Sequence, residues 1–452
     1  MHMGLPRRAV VAVVVAALLL ACALRRRPPT ELRRSVGDAL PGARVSPTTL
    51  VTGPRTFHRF FDSSPFSPSG RYLAALRAPR EGPADVAPGE TAVVVVVDLE
   101  APGGPRVVRE RPTRAWDGQL GAQVQWGASD DVVYCNDLDR DGAVAGVAYR
   151  WRENASEALP APVYHVSRDG AWAASPADLG ALRLTQPGYG VVPTPAAAAA
   201  ARRRFRRGGG PDDGVVVTDL RRRRTILIPL RSLVAALGRP ANACATHLFH
   251  VKWNANATRL MAVLRDRGAG CAAANHVVTI GRDGGDARRV ATWRARGNHP
   301  NWLDDGRVSM NRRGAICSLA DAENAPCETV GARASGHPVA APHAPGFLVA
   351  DTYAKEHAAF GLPPGVAALR LVDASTGAEV SLGSFPAADP RRKPDVWRCD
   401  LHPSFDRAGR KLAFNIRVDG SRAVAVMDFG DAPLRAVFDR LRAEDEARRR
   451  GG

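Results

Sequence analysis

Lysine is nearly missing from this chain. It stands only at 252, 355, 393 and 411, although Lys and Arg together number 63 of 452 residues and the formal net charge is +18. The positive charge is therefore arginine charge. It is partly gathered in runs such as Arg202-Arg203-Arg204 and Arg221 to Arg224, beside the alanine tract 196–201. Such runs read either as compositional drift or as attraction to a polyanion, an acidic glycan or anionic lipid. Zinc-finger spacing, helix-turn-helix patterning and an RNA-binding aromatic signature are all lacking, which argues against nucleic acid. No CxxC pair is present, so structural zinc is not expected. Walker and dinucleotide glycine patterns and a Gly-x-Ser-x-Gly elbow are also missing.

Long apolar runs are scarce as well. The longest, Ala9 to Leu24, has sixteen residues between Arg7-Arg8 and Arg25-Arg26-Arg27. That is short for a spanning helix and suits the core of a signal peptide. Residues 1–24 are read as a signal peptide or membrane anchor, with Cys22 also resembling a lipoprotein box. The expected location is the secretory pathway or cell envelope, secreted or attached to the membrane through this segment. Residues 25–50 read as a Pro- and Arg-rich linker or stem, 51–430 as the main domain and 431–452 as a helical tail.

What is abundant is a repeat. His250-Val-Lys-Trp253, His299-Pro-Asn-Trp302, His337-Pro-Val-Ala340 and His402-Pro-Ser-Phe405 are alike, and three of them run on through a polar turn into a short apolar strand. Phe66 to Ala74, Val124 to Tyr134 and Val166 to Trp172 repeat the turn-and-strand part, making seven units. Strand runs and polar turns at this spacing predict an all-β fold, a seven-bladed β-propeller of four strands per blade, here as a monomer. Segment 193–213, inside the fourth blade by this count, is low in complexity and reads as a disordered loop. Leu230 to Leu237 reads as a short helix. Leu434, Val437, Phe438 and Leu441 share one helical face, predicting a helix that caps the last blade.

A residue type held at one position of each unit converges on one ring, so the four histidines are the leading candidate site. The same recurrence is what a structural lock between neighbouring blades would produce. Six cysteines follow Cys22, an even number that suits disulfides in an exported chain. Cys317 with Cys327, flanking a hairpin tip, and Cys244 with Cys271 are favoured among fifteen connectivities. Asn154-Ala-Ser156 and Asn256-Ala-Thr258 are glycosylation sequons for a eukaryotic host. Asp137-Leu-Asp139-Arg-Asp141-Gly142 has the start of a calcium loop, but Ala148 stands where its last ligand belongs, and an acidic hairpin turn is the better reading.

Gly336-His337-Pro338, Ala350-Asp351-Thr352-Tyr353, Leu371-Val372-Asp373 with Thr376-Gly377, and Arg398-Cys399-Asp400-Leu401-His402-Pro403 form a connected pattern. With Arg183 to Gly190 and Thr246-His247-Leu248-Phe249 upstream, it resembles the TolB-like and WD40-like propeller proteins of bacterial glycan gene clusters, over roughly residues 55–430. Those propellers are similar in turn to oligogalacturonate lyases, which use manganese to cleave uronides by β-elimination. The resemblance implies His337 and His402 as metal ligands, with Asp400 and Trp397 standing where the lyases have a histidine and a glutamine. Mn²⁺ or another divalent ion is the implied cofactor. His299 resembles the lyases' catalytic histidine, Arg265 or Arg267 would be the basic group, and His250 and Trp397 would help to bind the ligand. Three functions follow as expectations: a propeller whose central face binds acidic carbohydrate or a protein partner, a metal-dependent uronide lyase, and a scaffold without a small-molecule site.

Overall fold

The computed structural model describes residues 34–451 except 83, 206–211, 241–242, 268–270, 296 and 389–395. The signal or anchor segment lies outside them. Among the described residues no helix is long and apolar enough to cross a membrane.

Seven four-stranded antiparallel sheets form the ring, one per blade, as the repeat count predicts. The innermost strands are Thr56–Phe57, Gln125–Trp126, His165–Val166, Thr246–Trp253, Gly297–Trp302, Val339–Ala340 and Ser404–Phe405. Apolar residues cover both faces of the middle strands, because each blade packs between two neighbours. Ala92–Asp98 and Val366–Asp373 are almost wholly buried valine- and leucine-rich runs. Outermost strands such as Arg106–Thr113 are mostly exposed and carry the arginines.

The seventh sheet is made from both ends of the chain. Ser404–Phe405, Lys411–Val418 and Ser421–Asp428 supply three strands, and Thr48–Leu50 supplies the fourth by pairing with Ala425–Met427. Just before it, residues 42–44 run along blade six, where Arg44 N donates to Leu382 O at 2.9 Å and Ser384 N donates to Gly42 O at 3.1 Å. The described part of the expected stem is thus built into the ring. The reason is geometric: an open sheet edge is closed by whichever strand can reach it.

Three expectations are corrected. The segment expected to be disordered lies in blade three and contains a helix, Pro195–Phe205, consistent with alanine being the strongest helix former. The helix Leu434–Gly451 buries the predicted apolar face, but it lies against strand Glu379–Pro386 of blade six, with Phe438 centred 5.7 Å from Phe347. Helix Leu230–Ala235 is shorter than the expected span.

Both favoured disulfides are present, Cys317–Cys327 and Cys244–Cys271, while Cys135 and Cys399 are buried free thiols. Reducing Cys317–Cys327, or replacing both cysteines by serine, should lower unfolding free energy by about 2–3 kcal/mol from the loop it closes. The shift in denaturant midpoint between oxidised and reduced protein measures it. Asn154 and Asn256 stand on exposed turns. The acidic motif is the predicted hairpin turn: Asp139 accepts from the Asp141 and Ala143 amides, and Asp137 pairs with Arg111 at 3.1 Å.

Candidate metal and anion site at the propeller axis

The histidines reach the axis because their strands are irregular. Pairing slips between Leu248 and Val251 in blade four and between Asn298 and Asn301 in blade five, so His250 and His299 sit on bulges. His299 and His402 have φ of 53° and 48°, conformations that cost a non-glycine residue of order 1 kcal/mol or more. A bulge re-aims a side chain that would otherwise alternate between blade faces. Gly336 is also required. Its φ is 59°, and a Cβ there would lie 2.2 Å from Asp351 Oδ1.

Three of the four imidazoles touch. The rings of His299 and His337 are centred 4.0 Å apart, and those of His337 and His402 4.3 Å apart. Asp351 organises them from behind. Its Oδ1 and Oδ2 lie 3.0 and 3.1 Å from His337 Nδ1, and the carboxylate also accepts the His337 amide at 2.6 Å and the His402 amide at 3.1 Å. Both ring nitrogens of His402 are buried without a hydrogen-bond partner, and its Nε2 stands 3.9 Å from Asp400 Oδ2. One ligand atom each from His337, Asp400 and His402 falls within 4.8 Å of the others.

Burial pushes the His337 imidazole down to about 3 and holds those of His299 and His402 well below the usual value, with the neighbouring histidines adding to it for the latter two. The rings are therefore neutral near pH 7 and present lone pairs. A carboxylate behind one histidine, unpartnered nitrogens on the next and a carboxylate beside them make a donor set that fits a divalent ion. Arg398 completes this edge, pairing with Asp400 at 3.0 Å and donating to Tyr189 Oη at 2.7 Å.

Beside this cluster opens a cavity of about 340 Å³ whose walls include His250, Lys252, Arg265, Arg267, Asn298 and His299. Arg265 lies 3.4 Å above the Phe249 ring and donates to Gln186 Oε1 at 2.8 Å. Arg267 donates to Asn275 Oδ1 at 2.9 Å. Among the described residues neither has a carboxylate partner, so the cavity carries unneutralised positive charge. His299 Nδ1 faces the Gly336 carbonyl at 2.8 Å, which assigns the proton to Nδ1 and leaves Nε2 as the acceptor, with Tyr353 Oη 3.2 Å away.

Sequence reasoning missed the floor of this cavity. The segment His58 to Asp62 crosses the axis, and Phe60 is centred 5.3 Å from His250, 5.3 Å from His337 and 4.7 Å from His402. Asp62 pairs with Lys252 and with Arg59, each at 3.2 Å, and all three side chains are at most 2% exposed. Lys252 was findable as one of only four lysines, standing inside the repeat His250-Val-Lys-Trp253. Gln123-Val-Gln-Trp126 is the histidine motif with glutamine in its first place, and Gln123 shares the positive φ of His299. Trp397 is a correction. It is 1% exposed, packs against Trp116 at 5.9 Å and donates to Ala84 O, so it belongs to the core rather than to the cavity.

No family profile and no curated protein matches this sequence. Solved structures do match. An oligogalacturonate lyase in complex with manganese superposes with a TM-score of 0.57 at 15% identity, covering 88% of this chain and 97% of its own. An oligogalacturonate lyase from Vibrio parahaemolyticus gives 0.57 at 11% identity, covering 88% of this chain and 100% of its own. TolB from Acinetobacter baumannii is more distant, at 0.37 and 9% identity, covering 76% of this chain and 66% of its own. At such identities the likeness establishes the fold: this chain is a seven-bladed propeller similar to those of the oligogalacturonate lyases.

Proposed function

We propose that the histidine mouth binds the acidic end of a carbohydrate, with a divalent ion held by His337, Asp400 and His402. The observation that carries this reading is His402, whose two buried nitrogens make no hydrogen bond beside an aspartate-clamped His337. A blade lock would have spent those nitrogens on a neighbouring blade, as buried polar groups ordinarily are. Arg265 and Arg267 would meet sugar carboxylates, and the Asn298 side chain and Tyr353 hydroxyl would meet ring hydroxyls. When bound, the ion supplies Lewis-acid charge to a carboxylate. The two disulfides favour an oxidising compartment, which suits a secreted or envelope location.

A second reading, uronide β-elimination, is favoured by His299. Its neutral Nε2 would take the proton α to the carboxylate while a C=C bond forms and the glycosidic C–O bond on the next carbon breaks, the departing oxygen leaving with that electron pair and taking a proton from solvent to become the product hydroxyl. Titration with oligogalacturonate in the presence of Mn²⁺ tests both readings. Binding that survives moderate salt and disappears in Arg265→Gln supports the first, and binding lost at modest ionic strength reduces it to bulk arginine attraction. New ultraviolet absorbance from an unsaturated product, absent in His299→Ala, supports the second; its absence in wild type rejects it.

A further inference from the structure

The opposite mouth of the propeller has its own cavity, of about 210 Å³, with Trp126, Trp253, Phe405, Asn254, Arg168 and Arg407 among its walls. The Phe60–Asp62 segment lies between the two: Phe60 faces the histidine cavity and Asp62 this one. The repeat supplies an internal control for what its tryptophans do. Trp126 Nε1 donates to Pro65 O at 2.8 Å, and Trp302 Nε1 donates to Lys252 O at 3.1 Å. Each indole N–H is thus spent on the preceding blade's carbonyl. Trp253 holds the same repeat position and is 4% exposed, yet its Nε1 is buried with no acceptor. A buried donor left unmade costs about 1–3 kcal/mol, which an acceptor brought by a ligand would recover.

The charges around it point to what that ligand carries. Arg168, on the blade-three turn, donates to the carbonyl of Arg407, on the blade-seven turn, at 3.0 Å. Arg407 in turn donates to Gly127 O. Among the described residues neither guanidinium has a carboxylate in ion-pair reach. Three carboxylates lie nearby and each is engaged elsewhere: Asp130 attracts Arg407 without pairing with it and accepts from the Ser69 amide and hydroxyl, Asp406 accepts the Arg410 and Lys411 amides, and Asp62 pairs with Lys252 and Arg59. Two close arginines engaging only neutral carbonyls, beside an unused indole N–H and between aromatic walls, give the pocket cationic groups and a donor to offer an anion.

We propose that this mouth is a second binding site, for a small oxyanion, a carboxylate or phosphate group, hydrogen-bonded by Trp253 Nε1 and neutralised by Arg168 and Arg407. It is independent of the carbohydrate reading, since it uses none of the same residues and faces the other side of the Phe60–Asp62 segment. The test follows the indole N–H resonance of Trp253, assigned by its loss in Trp253→Phe, while the full chain is titrated separately with inorganic phosphate and with acetate. A saturable shift with either anion, at least about tenfold weaker in Arg168→Gln and in Arg407→Gln and unchanged in the exposed charge control Arg307→Gln, is the expected result. The anion that saturates at lower concentration identifies the group. Arg168 is exposed on a turn, so its variant is expected to fold even if Arg407→Gln does not. No saturable shift at tens of millimolar of either anion, or equal weakening in Arg307→Gln, overturns the proposal.

Discussion

His402→Ala is expected to yield a folded propeller that no longer retains a divalent ion. Wild type incubated with Mn²⁺ and dialysed should hold near-stoichiometric metal by elemental analysis, and the variant none. The companion Asp351→Asn removes no ligand but releases the clamp on His337 and on the His402 amide, and should weaken metal binding about 10–100-fold. Loss of a ligand should exceed that. Stability should respond in the opposite order. The His402 imidazole makes no hydrogen bond in its buried site, so removing it forfeits packing against Phe60 and His337 but no polar contact. Asp351 holds two amides and a ring nitrogen, so disturbing it should lower the melting temperature more. A wild-type protein without metal would remove the ion from the proposed site and leave the arginine cavity to act alone.

Asp62→Ala should be the most destabilising single change in the axis. It leaves Lys252 and Arg59 charged, buried and unpaired, a situation that costs about 3–5 kcal/mol. Lys252→Met in the same chain should restore part of the loss, because the apolar side chain fits between Phe60 and Phe61, over which the ammonium already lies. Denaturant titration of wild type and these two variants measures both effects. The same pair sets an acid limit. Burial alone would raise the Asp62 carboxyl, but Lys252 and Arg59 outweigh it and hold the group well below the ordinary carboxylate range. Its contribution to stability is therefore present above the unfolded value, near pH 4, and is lost as pH falls toward the folded one. Asp62→Asn should flatten that part of the stability–pH curve.

The blade count was legible because each unit repeats a turn and an apolar strand, and composition survives where detail does not. The histidines were legible as a set because they hold one place in that unit. Their aim was not: pairing slips at His250 and His299 depend on hydrogen bonds between strands that no local pattern announces. Arg59, Phe60 and Asp62 precede the first clear repeat and carry no periodicity, so only the closed ring brings them to the axis. Trp397 lies in a turn outside any strand, where spacing from a matched histidine fixes no register. In the tract near residue 200 the helix preference of alanine prevails over the low complexity that points to disorder.

The seam in blade seven couples the two ends of the chain across some 370 residues, Leu50 against Ala425. Every other sheet is built from strands that follow one another, so six blades can assemble as the chain emerges during synthesis. The ring itself cannot close until the final strands exist. Until then blade one and the growing edge lack a neighbour on one side, and Phe60 lacks the His402 ring of blade seven to rest against. A product cut short before residue 428 would therefore expose the bare strand edges that Thr48–Leu50 and Ala425–Met427 otherwise close. That makes the seam a checkpoint on completeness: a chain missing its last tenth should be cleared by proteolysis far faster than one carrying substitutions on the blade rims.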